Sequence, residues 1–141
     1  MLEEHWQSAR IVTRGRVHQA GCLPGFVAVA GAVRVGLVTY QIENEACEVV
    51  SLNSLEPQRG VGTALLEAVL RAGRGGGCRR VWAITTNDNL AALRFYQKRG
   101  WRLVAIHRNA LAASRRLKPE IPLVGSEGIA LHDEIEVEKL L

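Results

Sequence analysis

Two hydrophobic rhythms divide the chain. Pro24-Gly25 is a turn signal, and the compact apolar run Phe26 to Ala30 behind it predicts a strand. Gly31-Ala32 makes the next turn, Arg34 to Glu43 a second strand, and Cys47 to Leu55 a third beyond the polar Glu43-Asn44-Glu45 link. Links this short favour an antiparallel meander. After Gly62 the period changes. Leu65, Val69 and Ala72 fall at i, i+4 and i+7, one face of a helix that ends in the Gly73 to Gly77 region. Glu67 and Arg71 form an i, i+4 pair on its opposite side. Val81 to Thr85 then reads as a strand buried on both faces, and Asn87-Asp88-Asn89 offers helix caps. Leu90 to Arg99 is a second helix stopped by Gly100, and Trp101 to His107 another strand. Asn109 to Lys118 reads as a short helix, Pro119 to Gly128 as a loop, and Ile135 to Leu140 as a terminal strand. The first strand–helix–strand crossover implies a parallel pair, so the sheet should be mixed, with helices packed on it.

Composition narrows the setting. A chain of 141 residues, 48% of them hydrophobic, is one domain by default and can bury a real core. The longest apolar run, Phe26 to Val38, is interrupted by Gly31, Arg34 and Gly36 and is too short to span a membrane. The start, MLEEHWQSAR, has acids where a secretory signal would be basic, so a soluble cytoplasmic protein is expected. Cys22, Cys47 and Cys78 match neither a disulfide framework nor a zinc spacing and read as buried free thiols. Charge is uneven. Residues 1–118 carry 17 Lys/Arg against 8 Asp/Glu, and residues 119–141 one Lys against six acids. A basic body suits a polyphosphate ligand or nucleic acid. The acidic end and 5% aromatic content argue against the nucleic acid.

Two stretches carry candidate chemistry. In LEPQRGVGTALL (55–66) a proline, an arginine and two close glycines stand directly before the helical pattern. A strand-to-helix loop exposes the helix's first N–H groups, which with the helix dipole can bind an anion. Gly60 and Gly62 would allow a close approach, and Arg59 adds a positive fork. Neither a Walker A loop nor a G-x-G-x-x-G fingerprint is present, and an ordinary turn is an equal reading of this loop alone. In TTNDNLAALRFYQKRGW, Asn89, Ala92 and Tyr96 stand at i, i+3 and i+7, aligning an amide, a small residue and a phenol on one helix face.

Together, Gly60-Val-Gly62-Thr63-Ala64-Leu65-Leu66 and Asn89-x-x-Ala92-x-x-x-Tyr96-x-Lys98-x-Gly100-Trp101 resemble the two signature motifs of the GNAT superfamily, the acetyl-CoA-dependent N-acyltransferases. The resemblance covers residues 26–107 well and the terminal strand loosely. It implies an α+β (three-layer α/β) GNAT fold: a mixed sheet with antiparallel N-terminal strands, a splayed parallel pair in the middle and helices on both faces. One domain would span 1–141, with a shortened region at 1–25, the core at 26–107, and a helix, loop and strand at 108–141. Leu2 to Gln7 would be a helix remnant, and Arg10 to Arg14 a short strand or extended segment.

The resemblance also implies acetyl-CoA as co-substrate, with no metal. The pyrophosphate would lie on the backbone of Arg59, Gly60, Val61, Gly62, Thr63 and Ala64. The pantetheine arm would pair with Leu52, Asn53, Ser54 and Leu55 like an added strand, with Asn89 bonding the arm and Ala92 leaving it room. Tyr96 would protonate the departing thiolate, while N–H groups near Leu52 to Ser54 stabilise the oxyanion. The acceptor would be a primary amine of a small molecule or peptide. A non-catalytic acyl-CoA sensor or assembly module is the alternative. Glu48, Asn53, His107, Asp133 and Glu134 are candidates for taking the amine's proton, with no motif behind any of them. The acids of His132 to Glu138 either face a cationic acceptor or are outward residues of a solvated strand with Ile135 and Val137 inward. Two departures stand out: Pro57 occupies the family's usual Gln/Arg place, with Gln58-Arg59 directly before Gly60, and the N-terminal region is short. An uncovered sheet face there would favour a homodimer; neither nucleic acid nor membrane is expected as a partner.

Overall fold

The computed structural model describes residues 10–13, 16–19, 23–55 and 60–141; the Leu2–Gln7 remnant and the Pro57-Gln58-Arg59 step lie outside them. Strands β1 (Arg10–Thr13) and β2 (Arg16–Gln19) pair with each other. The other described residues form two compact units, 23–55 with 60–81 and 140–141 in one, and 82–139 in the other.

The first unit contains the expected meander. Strands β3 (Gly25–Ala30), β4 (Val33–Glu43) and β5 (Ala46–Ser54) pair antiparallel in sequence order. Asn44 and Glu45, at φ 52° and 62°, close the β4–β5 hairpin in the left-handed geometry that a two-residue turn requires. Thr39 pairs with Ser51 and Tyr40 with Val49, so Val50 is an extra residue on β5. That bulge shifts the in–out alternation at Val50, and Cys47 through Ser51 are all buried, so this stretch of β5 is covered on both faces. Helix α1 (Val61–Gly75) buries Leu65, Leu66, Val69 and Leu70 and leaves Glu67 and Arg71 in solvent, as the 3.6-residue period predicts. Two glycines set how closely it packs. A Cβ on Gly36 of β4 would stand 2.6 Å from Val61 Cγ1 and 3.0 Å from Leu65 Cδ1. One on Gly73 would meet Leu141 Cδ1 at 3.2 Å and Val81 Cγ2 at 3.4 Å.

Strand β6 (Arg80–Thr86) follows α1. The Arg79 N–H donates to Glu45 O (2.7 Å), which brings the beginnings of β5 and β6 side by side. The two strands therefore run in the same direction, as the helical crossover demands. Burial on β6 is not two-sided as expected: Val81, Ala83 and Thr85 are buried, while Trp82, Ile84 and Thr86 are half-buried.

The second unit holds the rest of β6, then α2 (Leu90–Lys98), β7 (Arg102–His107), α3 (Ala110–Leu117), a 3-10 turn at Ser126–Gly128 and β8 (Glu134–Leu140). The sheet order is β3-β4-β5-β6-β8-β7, with β7 and β8 antiparallel, so the sheet is mixed. Its final strand in sequence is thus an interior one. Glu134, Ile135, Glu136 and Val137 are all buried, which corrects the reading of a solvated strand with outward acids. Burial of four consecutive residues means that both faces of this stretch are covered, so neither parity gives the acids a solvent face. No helix among the described residues is long and apolar enough to cross a membrane.

Candidate active site

In the first unit, the end of β5 and the start of α1 meet at Gly36. Gly36 pairs with Ser54, and its hypothetical Cβ lies 3.1 Å from Asn53 O as well as against Val61. The Leu55 N–H donates to Val35 O (2.8 Å), so it is already used and is not free for an added strand. Antiparallel pairing alternates. Asn53, with the same parity as Leu55, points its N–H toward β4, and Leu52 and Ser54 turn theirs away. The Ser54 Oγ is buried without a hydrogen-bond partner among the described residues. A buried hydroxyl with no partner lacks compensation for lost water, and a ligand there would supply it.

Gly60 caps α1 at φ 74°, ψ 11°, and among the described residues nothing lies within 4 Å of where its Cβ would be. Ala64 N donates to Gly60 O (3.0 Å) and begins the helical ladder. The preceding N–H positions, Val61, Gly62 and Thr63, form the turn in which a helix has no acceptors of its own. Gly62 is buried, Val61 and Thr63 are half-buried, and Ala64 is exposed. No acid occupies this first turn. Arg59 lies outside the described residues.

In the second unit, Asn89, Ala92 and Tyr96 are brought onto α2 as their spacing predicts. Asn89 is the N-cap, and its Oδ1 accepts from Ala92 N (3.0 Å). One lone pair of its carbonyl oxygen is thus committed to the helix, and Nδ2 carries two further donors. Tyr96 is 6% exposed, with its ring centroid 4.9 Å from that of Trp101 and 5.5 Å from Phe95. Burial pushes its phenol up from 10 to about 12, so it stays protonated throughout the neutral range.

The residues just before the cap are more than caps. Asn87 Nδ2 donates to Ala130 O (2.8 Å), and its Oδ1 accepts from the N–H groups of His132 and Asp133 (3.1 and 3.0 Å). Asp88 accepts from Thr86 Oγ1 (2.5 Å) and Ser126 N (2.8 Å). Burial opposes ionisation of Asp88, but these hydrogen bonds outweigh it and hold its carboxyl below the usual range. Sequence reasoning missed both roles, because the partners lie about forty residues away and only the Asn-Asp-Asn composition signalled anything.

Of the candidate proton acceptors, Glu48 and Glu134 are buried and engaged in further interactions. Asp133 holds Asn109 N at 2.8 Å and His132 Nδ1 at 2.8 Å, and the first of these bonds is the main cause of its lowered carboxyl. His107 Nε2 lies 3.0 Å from Glu136 Oε1, a partner the sequence did not suggest. No group of three or more His, Cys, Asp or Glu among the described residues converges as metal ligands.

The family model described as the acetyltransferase (GNAT) family matches residues 3–101. The chain belongs to this family. Two relatives of this GNAT protein are the uncharacterized proteins YdhI and YxbD of Bacillus subtilis (strain 168). YdhI is 41% identical over 140 residues, covering 98% of this chain and 87% of its own. YxbD is 41% identical over 141 residues, covering 99% and 89%. Among solved structures, an IAA acetyltransferase from Bacillus cereus ATCC 14579 superposes with TM-score 0.71 at 22% identity, covering 83% of this chain and 77% of that one. A GNAT family acetyltransferase from Elizabethkingia anophelis with acetyl-CoA bound gives 0.70 at 22%, covering 83% and 75%. These structural likenesses carry the fold of this GNAT domain and nothing finer.

Proposed function

We propose that the protein transfers an acetyl group from acetyl-CoA directly to a primary amine of a small molecule or peptide. The chain reads as one catalytic domain over 1–141. Coenzyme A phosphates suit the backbone at Gly60 and the first turn of α1, while Leu52 and Ser54 offer the N–H groups that turn away from β4. The same N–H groups would be the donors to an oxyanion as the thioester carbonyl is attacked. Acetyl-CoA supplies the activated carbonyl.

Tyr96 carries this reading. A phenol raised to about 12 is a donor that does not ionise at pH 7, suited to a sulfur that becomes negative only as the C–S bond breaks. A free thiol near 8.5 would be the stronger acid, but the apolar surroundings that raise Tyr96 also raise a thiolate buried there. Donation then strengthens as charge develops. A sensor or assembly module has no use for such a donor.

Release of coenzyme A from acetyl-CoA tests the reading, with wild type and Tyr96→Phe assayed across polyamines, amino acid amides and short peptides. Acceptor-dependent release that falls at least about tenfold in the variant, with acetyl-CoA binding kept within about threefold, is the expected result. Binding without release for any amine would favour the sensor reading.

A further inference from the structure

An alkylammonium acceptor must lose a proton before it can attack. The second unit contains a pair suited to taking it. His107, the last residue of β7, is opposite Glu134 on β8 in the strand register and bonds diagonally to Glu136, Nε2 to Oε1 at 3.0 Å. The two side chains differ in exposure: Glu136 is 9% exposed and His107 24%. A buried carboxylate behind a partly open imidazole fixes the ring and its tautomer. An ionised Glu136 accepts from Nε2–H, the arrangement that leaves Nδ1 as the acceptor.

The pair also lies at the right end of the strands. The Asn87 N–H donates to Asp133 O (3.0 Å), which joins the end of β6 to the start of β8, and Asn109 N reaches Asp133 Oδ1 from just beyond β7. His107 is therefore at the same strand ends from which α2, with Asn89 and Tyr96, departs. Ligands of open α/β sheets bind at the carboxyl ends of strands. Among the charged groups of the described residues, Glu134 is opposite His107 in register and Glu136 bonds to it, while Asp133 and His132 stand just before β8 and Arg108 is next in sequence.

We infer that His107, held by Glu136, is the general base that deprotonates the acceptor amine. This inference rests on the amine-acetylation reading above. His107 Nδ1 takes one proton from the ammonium, and the freed lone pair forms the C–N bond. The C–S bond breaks with its electron pair on sulfur. The nitrogen's second surplus proton ends on that sulfur, with Tyr96 as donor and recipient in turn, and His107 returns its proton to solvent. Ammonium and thioester thus give amide, thiol and one proton.

The test compares wild type, His107→Gln and Glu136→Gln, with spermidine, glycinamide and trialanine as protonated acceptors and an aryl hydrazide as one already neutral at pH 7. In both variants kcat/KM for the best protonated acceptor should fall at least about thirtyfold at pH 7, in the range general-base catalysis supplies. The deficit should shrink to less than about threefold with the hydrazide or above the acceptor's own pKa. A merely structural role would give the same deficit for both acceptor kinds at every pH. Equal losses, or none, in the variant that keeps the wild-type melting temperature would overturn the assignment. If acetyl-CoA binds and none of the four acceptors is acetylated by wild type, the amine reading fails and this assignment with it. Turnover with an unchanged pH profile removes only the base.

Discussion

Tyr96 and Cys47 are buried groups whose neutral forms the fold protects, with consequences for alkaline stability. Tyr96 rises from 10 to about 12 by burial, and Cys47 from 9 to about 12 by burial, then by its neighbours Cys78 and Glu48. Below pH 9 both are neutral whether the chain is folded or unfolded, and their contribution is complete. Above it the unfolded chain ionises first, so stability is lost as pH rises from about 9 to 12. The Tyr96 share reaches about 3 kcal/mol for two pKa units. Urea melts between pH 8 and 11.5 should show this decline, and Tyr96→Phe should lose the part that begins near pH 10. Asn89 acts at the same scale: Asn89→Ala removes the cap of α2 and should cost about 1 kcal/mol.

Among elements, the junction of β4, β5 and α1 is the most exposed to a single change. Gly36→Val would drive a branched side chain into Val61 and the Asn53 carbonyl, and β-branched Val61 has no rotamer freedom with which to yield. Overpacking of this kind costs about 1–3 kcal/mol, so a lower melting temperature and acetyl-CoA binding weakened at least about fivefold are expected together. A stability loss with unchanged affinity would separate Gly36 from the ligand site. In the sequence Gly36 was legible only as an interruption of an apolar run, since its meaning lies in a contact 25 residues later. The helices and the meander were readable because apolar period is local. The interior place of β8 was not, because a strand inserted between two earlier ones leaves no local mark. Hence Glu134 and Glu136 read as either acceptor-facing or solvated, and nothing in the sequence pointed to Glu136 as the partner of His107. Val50 likewise gave no sign of being a bulge. Tyr96, Asn89 and Gly60 were legible because each depends on fixed spacing within or beside one helix.

Across the whole molecule, charge and loop anchoring matter most. The basic excess over residues 1–118 should draw a polyanionic ligand, so acetyl-CoA affinity should fall several-fold between about 50 and 500 mM NaCl, as isothermal titration would register. The segment from Pro119 to Leu131 is held differently, through its main chain. Arg115 donates to the carbonyls of Ile121, Pro122 and Leu131, Asn87 to that of Ala130, and Ser126 N donates to Asp88. Within it, Leu131 N reaches Leu123 O and Gly125 N reaches Ile129 O. Of its side chains, Leu123 and Val124 are turned out to solvent. Gly125 is fixed in identity, since a Cβ there would sit 2.1 Å from Asp88 Oδ2, and so are Gly128, at φ 73°, and Leu131, buried in the core. A segment anchored by backbone atoms can exchange its side chains without losing its course. Relatives could therefore diverge at the exposed positions while α2 and its cap stay in place, and a library randomised at 123 and 124, leaving Glu127 at its φ of 57°, would vary the surface without refolding the protein.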